Sequence, residues 1–232
     1  MTKQINLVLN GKGGVGKSFF ATNFVQFLKD EKQPHVAIDT DNENSTLKRF
    51  HPDAQFVNLG NAHELDQLFA AIESTRLVVV DCRAASTDVF LTYFAELTAF
   101  DVLSSLGATL TVVSPVNHDL DSVEQVRIIA KAFNDRCRYL VVKNCALTDH
   151  FTIYDASKTR KRLLNELGGK EMTMPKLHDW LVATLHQVNL PVGRAIQHEK
   201  FSLMDRQRLK NWQRQFHEQI NNVRQIILPR DP

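Results

Sequence analysis

The segment Gly11-Lys12-Gly13-Gly14-Val15-Gly16-Lys17-Ser18 satisfies the pattern G-x-x-x-x-G-K-[ST] in full, and each residue type in it has a task at a phosphate. Glycines let successive backbone N–H groups turn inward around phosphate oxygens with no Cβ in the way. A helix opening at Ser18 aims the positive end of its dipole at the same anion. Lys17 supplies a point charge between the β- and γ-phosphates, and the Ser18 hydroxyl can ligate Mg²⁺. The competing reading is a glycine-rich turn with an incidental lysine. A strand-like run before the loop and a helical pattern after it argue for the phosphate loop.

Those flanking elements belong to a wider alternation. Ile5–Asn10 reads as a strand, and Ser18–Lys29 as a helix with Phe20, Phe24, Phe27 and Leu28 on one face. His35–Asp39, Ala54–Leu59, Arg76–Asp81, Thr109–Ser114 and Tyr139–Asn144 read as further strands, with a short run at Glu171–Pro175. Between them, Asn61 can cap a helix carrying Leu65, Leu68, Phe69 and Ile72, and helical patterns cover Asp88–Leu106, Asp119–Phe133 and Ala156–Leu167. A helix is expected from Leu177, and a long one from about Ser202 to Leu228. Strands alternating with helices imply parallel βαβ units. The expected fold is one doubly wound α/β domain: a mostly parallel sheet, helices on both faces, and a helical C-terminal appendage. Residues 1–150 would form the nucleotide-binding core, 151–200 its remainder and 201–232 the final helix.

In that architecture ligands bind in the crevice at the carboxyl ends of the strands. Asp39 and Asp81 each end a strand beside the loop strand. A lone acid there can equally cap the next helix, but two together favour the ligand. Composition adds only bounds. The 232 residues are 43% hydrophobic and 23% charged with a net charge of +2, which excludes a disordered or fibrous chain. The net charge alone does not imply nucleic acid. No apolar run reaches the roughly 18–20 residues of a membrane span, and the start shows no signal peptide. Cys82, Cys137 and Cys145 show no C-x-x-C spacing, so the expected home is the reducing cytoplasm, with nucleoid association an option. His178, His186 and His198 lack metal-ligand spacing. Trp180 and Trp212, on helices with apolar companions, read as packing anchors. The basic run Lys158-Thr-Arg160-Lys161-Arg162 reads as a solvated helix face before it reads as a phosphate-backbone contact.

Lys12 carries the reading further, because Lys-Gly-Gly-Val-Gly-Lys-Ser resembles the deviant Walker A motif of the ParA/MinD ATPases. The resemblance implies that Lys12 is the signature lysine, reaching nucleotide across an ATP-sandwich homodimer. Asp39-Thr40-Asp41 then resembles the strand end where the first acid lies near Mg²⁺ and the second orients the attacking water. Leu77-Val-Val-Val-Asp81 resembles the Walker B strand, whose acid holds a magnesium-bound water. Val141-Val-Lys-Asn144 resembles the strand whose asparagine recognises adenine, although Asn144 also has a plain turn reading. The implied site is therefore Gly11 to Phe19 and Asn144 for ATP, Ser18, Asp39 and Asp81 for Mg²⁺, and Lys12, Lys17 and Asp41 for catalysis. The likeness covers residues 1–150 well and the rest loosely.

The departures from that pattern bear on turnover. Phe19 replaces a second hydroxyl residue, which removes a contact to the α-phosphate. Asp39-Thr-Asp41-Asn42-Glu43 and Asp81-Cys82-Arg83-Ala84-Ala85 both lack the family's proline, so switch coupling should differ and hydrolysis be slow. Cys82 and Cys137 do not fall where the iron-protein branch holds its cluster.

Among such proteins the chain is similar to the plasmid stability and conjugal-transfer branch (StbB- or TraL-like). That implies plasmid DNA as cargo, positioned through an adaptor or DNA-binding partner. The alternatives are a membrane-surface positioning ATPase of the MinD kind, a nucleotide-dependent binding module with little turnover, and a metabolic ligase or kinase, which Lys12 disfavours. In the last helix Ser202-Leu-Met-Asp205 reads as a capping box, and Leu209, Trp212, Phe216, Ile220, Val223 and Ile227 share one stripe. Arg206, Lys210, Arg214 and Arg224 flank it with no acid among them. Either the stripe packs and the flank is solvated, or the flank through Arg206, Lys210 and Arg214 meets DNA; membrane contact is the weaker option.

Overall fold

A computed structural model describes residues Thr2–Arg230; Met1, Asp231 and Pro232, where the expected bounds of the domain fall, lie outside the described residues. Seven strands form one sheet in the order β3-β2-β4-β1-β5-β6-β7. They are β1 (Lys3–Val8), β2 (Val36–Asp39), β3 (Gln55–Phe56), β4 (Leu77–Asp81), β5 (Ala108–Val116), β6 (Arg138–Asn144) and β7 (Lys170–Met174). Every neighbouring pair is parallel. A parallel sheet must be covered on both faces, and two apolar clusters do this. On one side Leu7, Val78, Val80 and Val112 meet Phe90, Tyr93, Phe94 and Ile129. On the other Val8, Val79, Val113 and Leu140 meet Phe20, Phe24, Trp212, Phe216 and Ile220. The expected doubly wound fold and helical C-terminal region are what the chain adopts.

Helix α1 (Lys17–Asp30) starts directly from the glycine loop and buries Phe20, Phe24, Phe27 and Leu28. The helix Leu203–Asn222 opens with the anticipated capping box and buries Leu209, Trp212, Phe216 and Ile220. It ends at Val223 (φ −118°), before a short helix Arg224–Ile227, rather than continuing to Leu228. The break has a consequence for packing. It lets the Ile227 carbonyl accept from Asn6 Nδ2 at 2.8 Å and the Ile226 carbonyl accept from the Thr111 hydroxyl, so buried polar groups in the central strands find partners.

Two other expected helices are divided. Asn61 does cap, accepting from the His63 N–H, but its helix stops at Leu65 and a second runs Gln67–Ser74. The Asp88–Leu106 stretch splits into Thr87–Glu96 and Ala99–Ser105, with Thr98 left-handed (φ 44°) between them.

Trp180 is a correction. It is 53% exposed, because Leu181 and Leu185 take the inward face of the helix Asp179–Val188, and it stacks on His178 with ring centroids 4.2 Å apart. Trp212 is buried, and its Nε1–H donates to the Pro175 carbonyl at 2.7 Å. The acid-free flank is the second correction. Arg214 pairs with Glu218 at 3.3 Å and Arg224 with Glu31 at 3.4 Å, while Arg206 donates to the carbonyls of Phe201 and His198. Arg160, in the basic run of another helix, likewise pairs with Glu171 at 2.8 Å.

Candidate nucleotide site

The loop after β1 lies at the sheet centre, where the connections switch from one side to the other. Gly14 (φ 73°) and Gly16 (φ 99°) adopt left-handed backbone, and a Cβ on Gly16 would lie 2.4 Å from Asn144 Nδ2; both positions demand glycine. Gly16 then serves as the N-cap of α1, with no side chain capping the helix. The first-turn N–H groups thus point toward the loop's concavity, the arrangement that receives an anion. The Lys17 ammonium is buried and donates to the Lys12 carbonyl at 2.9 Å; burial lowers its pKa, against the pull of Asp81.

A cavity of about 370 Å³ opens over this loop, lined among others by Gly13, Gly14, Gly16, Lys17, Ser18, Asp41 and Arg83. Next to it a second, of about 400 Å³, is lined by Gly14, Gly16, Phe19, Asn144, Pro175, Leu177, Val182 and His186. Together they offer a polar, cationic compartment and a more apolar one joined at the glycines, the shape of a phosphate tail and a ring. A larger cavity of about 710 Å³, with Lys3, Glu73, Arg224 and Arg230 around it, lies at the opposite end of the strands. It has no glycine loop, so the chemistry points to the smaller pair.

The two strand-end aspartates are register partners across β2 and β4, yet they differ. Asp39 Oδ1 accepts the Asp41 N–H and Oδ2 the Lys48 N–H, each at 2.9 Å. Burial raises its pKa while those backbone bonds oppose the rise. Asp81 is fully buried, and no hydrogen bond of acceptable geometry reaches either oxygen. Burial pushes it up to about 8, the Asp39 charge adds to the rise, and Ser18 and Lys17 oppose it. A cation or a proton must answer this carboxylate, and the residues around Ser18 therefore fit a divalent metal. Among the described residues no cluster of three His, Cys, Asp or Glu could hold a metal unaided, so any such ion would take most of its ligands from phosphates and water, as Mg²⁺ does.

Asp41 lines the phosphate cavity. Its Oδ1 accepts from the backbone N–H groups of Glu43 (3.0 Å) and Asn44 (3.2 Å), and its Oδ2 from Asn44 Nδ2 (3.1 Å). Burial raises its pKa, but these bonds and the Arg83 charge outweigh burial and leave it lowered. It is an ionised carboxylate at neutral pH. Lys12 turns away from the cavity, with Nζ 3.0 Å from Asp121 Oδ2 and 3.7 Å from Asp119 Oδ2; the hydrogen bond and charge of Asp121 raise its pKa. Asn144 spends Nδ2 on the Val15 carbonyl (2.9 Å) and Oδ1 on the Ala146 N–H (3.1 Å). Phe19 packs edge-on to Trp212 at 5.4 Å and walls both cavities. Gly11 lies behind the loop, with Gln125 and Thr87 pressed against it. Sequence reasoning assigned no site role to Arg83, His186 or Pro175: Arg83 entered only within the departure after Asp81, and His186 was set aside for want of metal-ligand spacing, yet all three line the cavities.

The chain is 28% identical over 239 residues to the protein TraL of Escherichia coli, covering 94% of this chain and 97% of TraL. It is 24% identical over 230 residues to the protein MobD of Acidithiobacillus ferrooxidans, covering 96% of this chain and 99% of MobD. The fold is that of the septum site-determining protein MinD of Pyrococcus horikoshii complexed with Mg-ADP, with a TM-score of 0.56 and 13% identity over 98% of this chain and 99% of MinD. The family profile described as the CobQ/CobB/MinD/ParA nucleotide binding domain (CbiA) matches residues 7–227, and the chain belongs to that family.

Proposed function

We propose that the chain binds ATP with Mg²⁺, hydrolyses it slowly, and dimerises around the nucleotide to position plasmid DNA through a partner protein during conjugal transfer. The observation that carries the nucleotide reading is the buried, unpartnered Asp81 carboxylate beside Ser18 and Lys17 under a glycine cradle. The cradle N–H groups and Lys17 bind the phosphates, the more apolar cavity walled by Phe19 and Leu177 takes the base, and Asn144 fixes the loop against it. Ser18 would hold Mg²⁺ directly and Asp81 through water, with Asp39 acting mainly as the cap that shapes the segment carrying Asp41. When bound, the ion neutralises charge developing on the phosphates. Asp41, ionised and facing the cavity, orients the attacking water.

Lys12 would leave Asp121 and Asp119 to reach the nucleotide of a second copy. Its exposed ion pair favours that reading, because surface pairs contribute little and break readily. Similarity to TraL and MobD along nearly the whole chain supports the conjugation setting. The local pairing of Arg206, Arg214 and Arg224 favours a partner protein over direct DNA contact as the link to cargo. The test is equilibrium titration with ATP and turnover measured alone and with plasmid DNA or anionic vesicles. Saturable Mg²⁺-dependent ATP binding supports the reading. Absence of ATP binding refutes it, and stimulation by vesicles alone would favour the membrane alternative.

A further inference from the structure

Arg83 stands two residues beyond Asp81 and lines the phosphate cavity with Gly13, Lys17, Ser18 and Asp41. Its Nε is buried and has no hydrogen-bond partner. Its charge is felt at Asp41, but Asp41 directs its oxygens to the backbone and side chain of the Glu43–Asn44 turn instead. Among the described residues no carboxylate lies within ion-pair distance of the Arg83 guanidinium. A guanidinium has five donors in a planar fork suited to phosphate oxygens; Arg83 is half-buried, and its buried Nε–H, which no protein acceptor meets, is a donor that an anion would satisfy.

Its backbone is fixed on both sides. The Arg83 N–H donates to Thr40 Oγ1 at 3.0 Å, that hydroxyl donates to the Asp81 carbonyl at 3.0 Å, and Ser86 Oγ donates to the Arg83 carbonyl at 2.8 Å. Ala85 holds a left-handed φ of 55° and its N–H donates to the Gly11 carbonyl at 2.9 Å. A non-glycine residue keeps that conformation only where its surroundings require it. Next to Arg83, the Ala84 Cβ lies 3.7 Å from where a Cβ on Gly13 would sit, so this segment abuts the middle of the phosphate loop.

We propose that Arg83 is a phosphate-reading arginine supplied by the chain to its own site, contacting the terminal phosphate of a bound nucleoside triphosphate and so distinguishing it from the diphosphate. The terminal phosphate is the one expected there, because Lys17 marks the β/γ end and Asp41 shares the cavity wall. The proposal rests on the nucleotide-binding reading and adds a residue to it. It also gives the chain a way to couple triphosphate to the Asp81–Ala85 segment although the usual proline is missing.

The test compares binding of the non-hydrolysable triphosphate AMPPNP and of ADP, with Mg²⁺, by wild type, Arg83→Ala, Arg83→Lys and Arg83→Gln. The readout is the ratio of the two dissociation constants, which a general loosening of the site leaves unchanged. Removing a charge-assisted hydrogen bond predicts that Arg83→Ala and Arg83→Gln weaken AMPPNP roughly ten- to hundredfold relative to ADP, with Arg83→Lys recovering part of the loss. ADP affinity within about twofold of wild type in at least one variant would report an intact site. An unchanged ratio in all three variants overturns the proposal while leaving the nucleotide reading standing. A wild type that binds neither nucleotide overturns both.

Discussion

His51 offers a quantitative test of how the segment bearing Asp41 is held down. It follows the helix Thr46–Phe50, whose Lys48 N–H is gripped by Asp39, and its ring is fully buried against α1. Nε2 lies 2.9 Å from the Thr22 carbonyl and Nδ1 3.2 Å from Lys29 Nζ, so the ring is neutral, with Nε2–H donating and Nδ1 accepting. Burial lowers its pKa from 6.5 to about 4; the Thr22 carbonyl and Asp53 oppose the shift, while Lys29 and His35 reinforce it. The sign follows from linkage. The unfolded chain takes up the proton first as pH falls, so stability declines from about pH 6.5 with a slope approaching 1.4 kcal/mol per pH unit. It levels near pH 4, where the folded protein is protonated as well, for a total loss of about 3 kcal/mol. His51→Gln removes the titration, and whatever it costs in packing is independent of pH. Urea unfolding of both proteins from pH 4 to 8 isolates the effect, since His35 and the carboxylates titrate in both. The wild type's stability relative to the variant should be constant above about pH 7 and shrink by about 3 kcal/mol on reaching pH 4. A difference that stays flat across that range refutes a neutral, tightly enclosed His51.

Lys17→Ala should abolish ATP binding, read by titration with a fluorescent analogue; unchanged affinity removes the phosphate-loop assignment. Lys12→Ala should leave binding to the monomer nearly intact while preventing ATP-dependent dimerisation in sedimentation, and a variant that dimerises and turns over normally would make Lys12 an ordinary loop residue paired with Asp121. Asp41→Ala should lower turnover far more than affinity, because a carboxylate aligning water acts mainly in the transition state. A wild-type rate places that carboxylate elsewhere. Trp212→Ala should cost about 3–5 kcal/mol in urea unfolding, since the ring is buried, stacks on Phe216 at 5.0 Å and braces Phe19; a loss below about 1 kcal/mol would contradict that packing.

What could be read from the sequence was local. The glycine loop, the strand-helix alternation and the Ser202–Asp205 cap depend on residues within a few positions of one another, and local chemistry decides them. The helix breaks at Asp66, Thr98 and Val223 were hidden, because no proline or glycine marks them and tertiary packing outweighs helix propensity. Trp180 was misjudged for a related reason. An apolar companion on either side does not say which face of a helix turns inward, and here Leu181 and Leu185 claim it. The flank of the last helix lost its acid-free character to Glu31, from α1's C-terminus, and to Glu218, one turn past Arg214. The first of these partners is a long-range contact that no wheel projection contains.

The division of labour between Asp39 and Asp81 is the least legible part of the site and the most informative. Sequence treats them alike, as acids ending neighbouring parallel strands, and the register makes them direct partners. Their environments separate them. The chain after β2 turns back at once, so Lys48 and Asp41 bring N–H groups to Asp39 and occupy both of its oxygens. The chain after β4 runs on toward Gly11, so no backbone N–H reaches Asp81, which is left buried beside Lys17 and Ser18 with its pKa pushed up. One carboxylate shapes the segment that carries Asp41; the other, in the proposed function, answers a cation. Two acids in like positions take different roles because their environments hold their protons differently. Asp39→Asn keeps an acceptor for only one of the two N–H bonds and should loosen the Asp41 segment, weakening turnover with ATP affinity largely kept. Asp81→Asn should instead remove the Mg²⁺ dependence of ATP binding. Both follow from titrations with and without Mg²⁺, and identical behaviour of the two variants would refute the division.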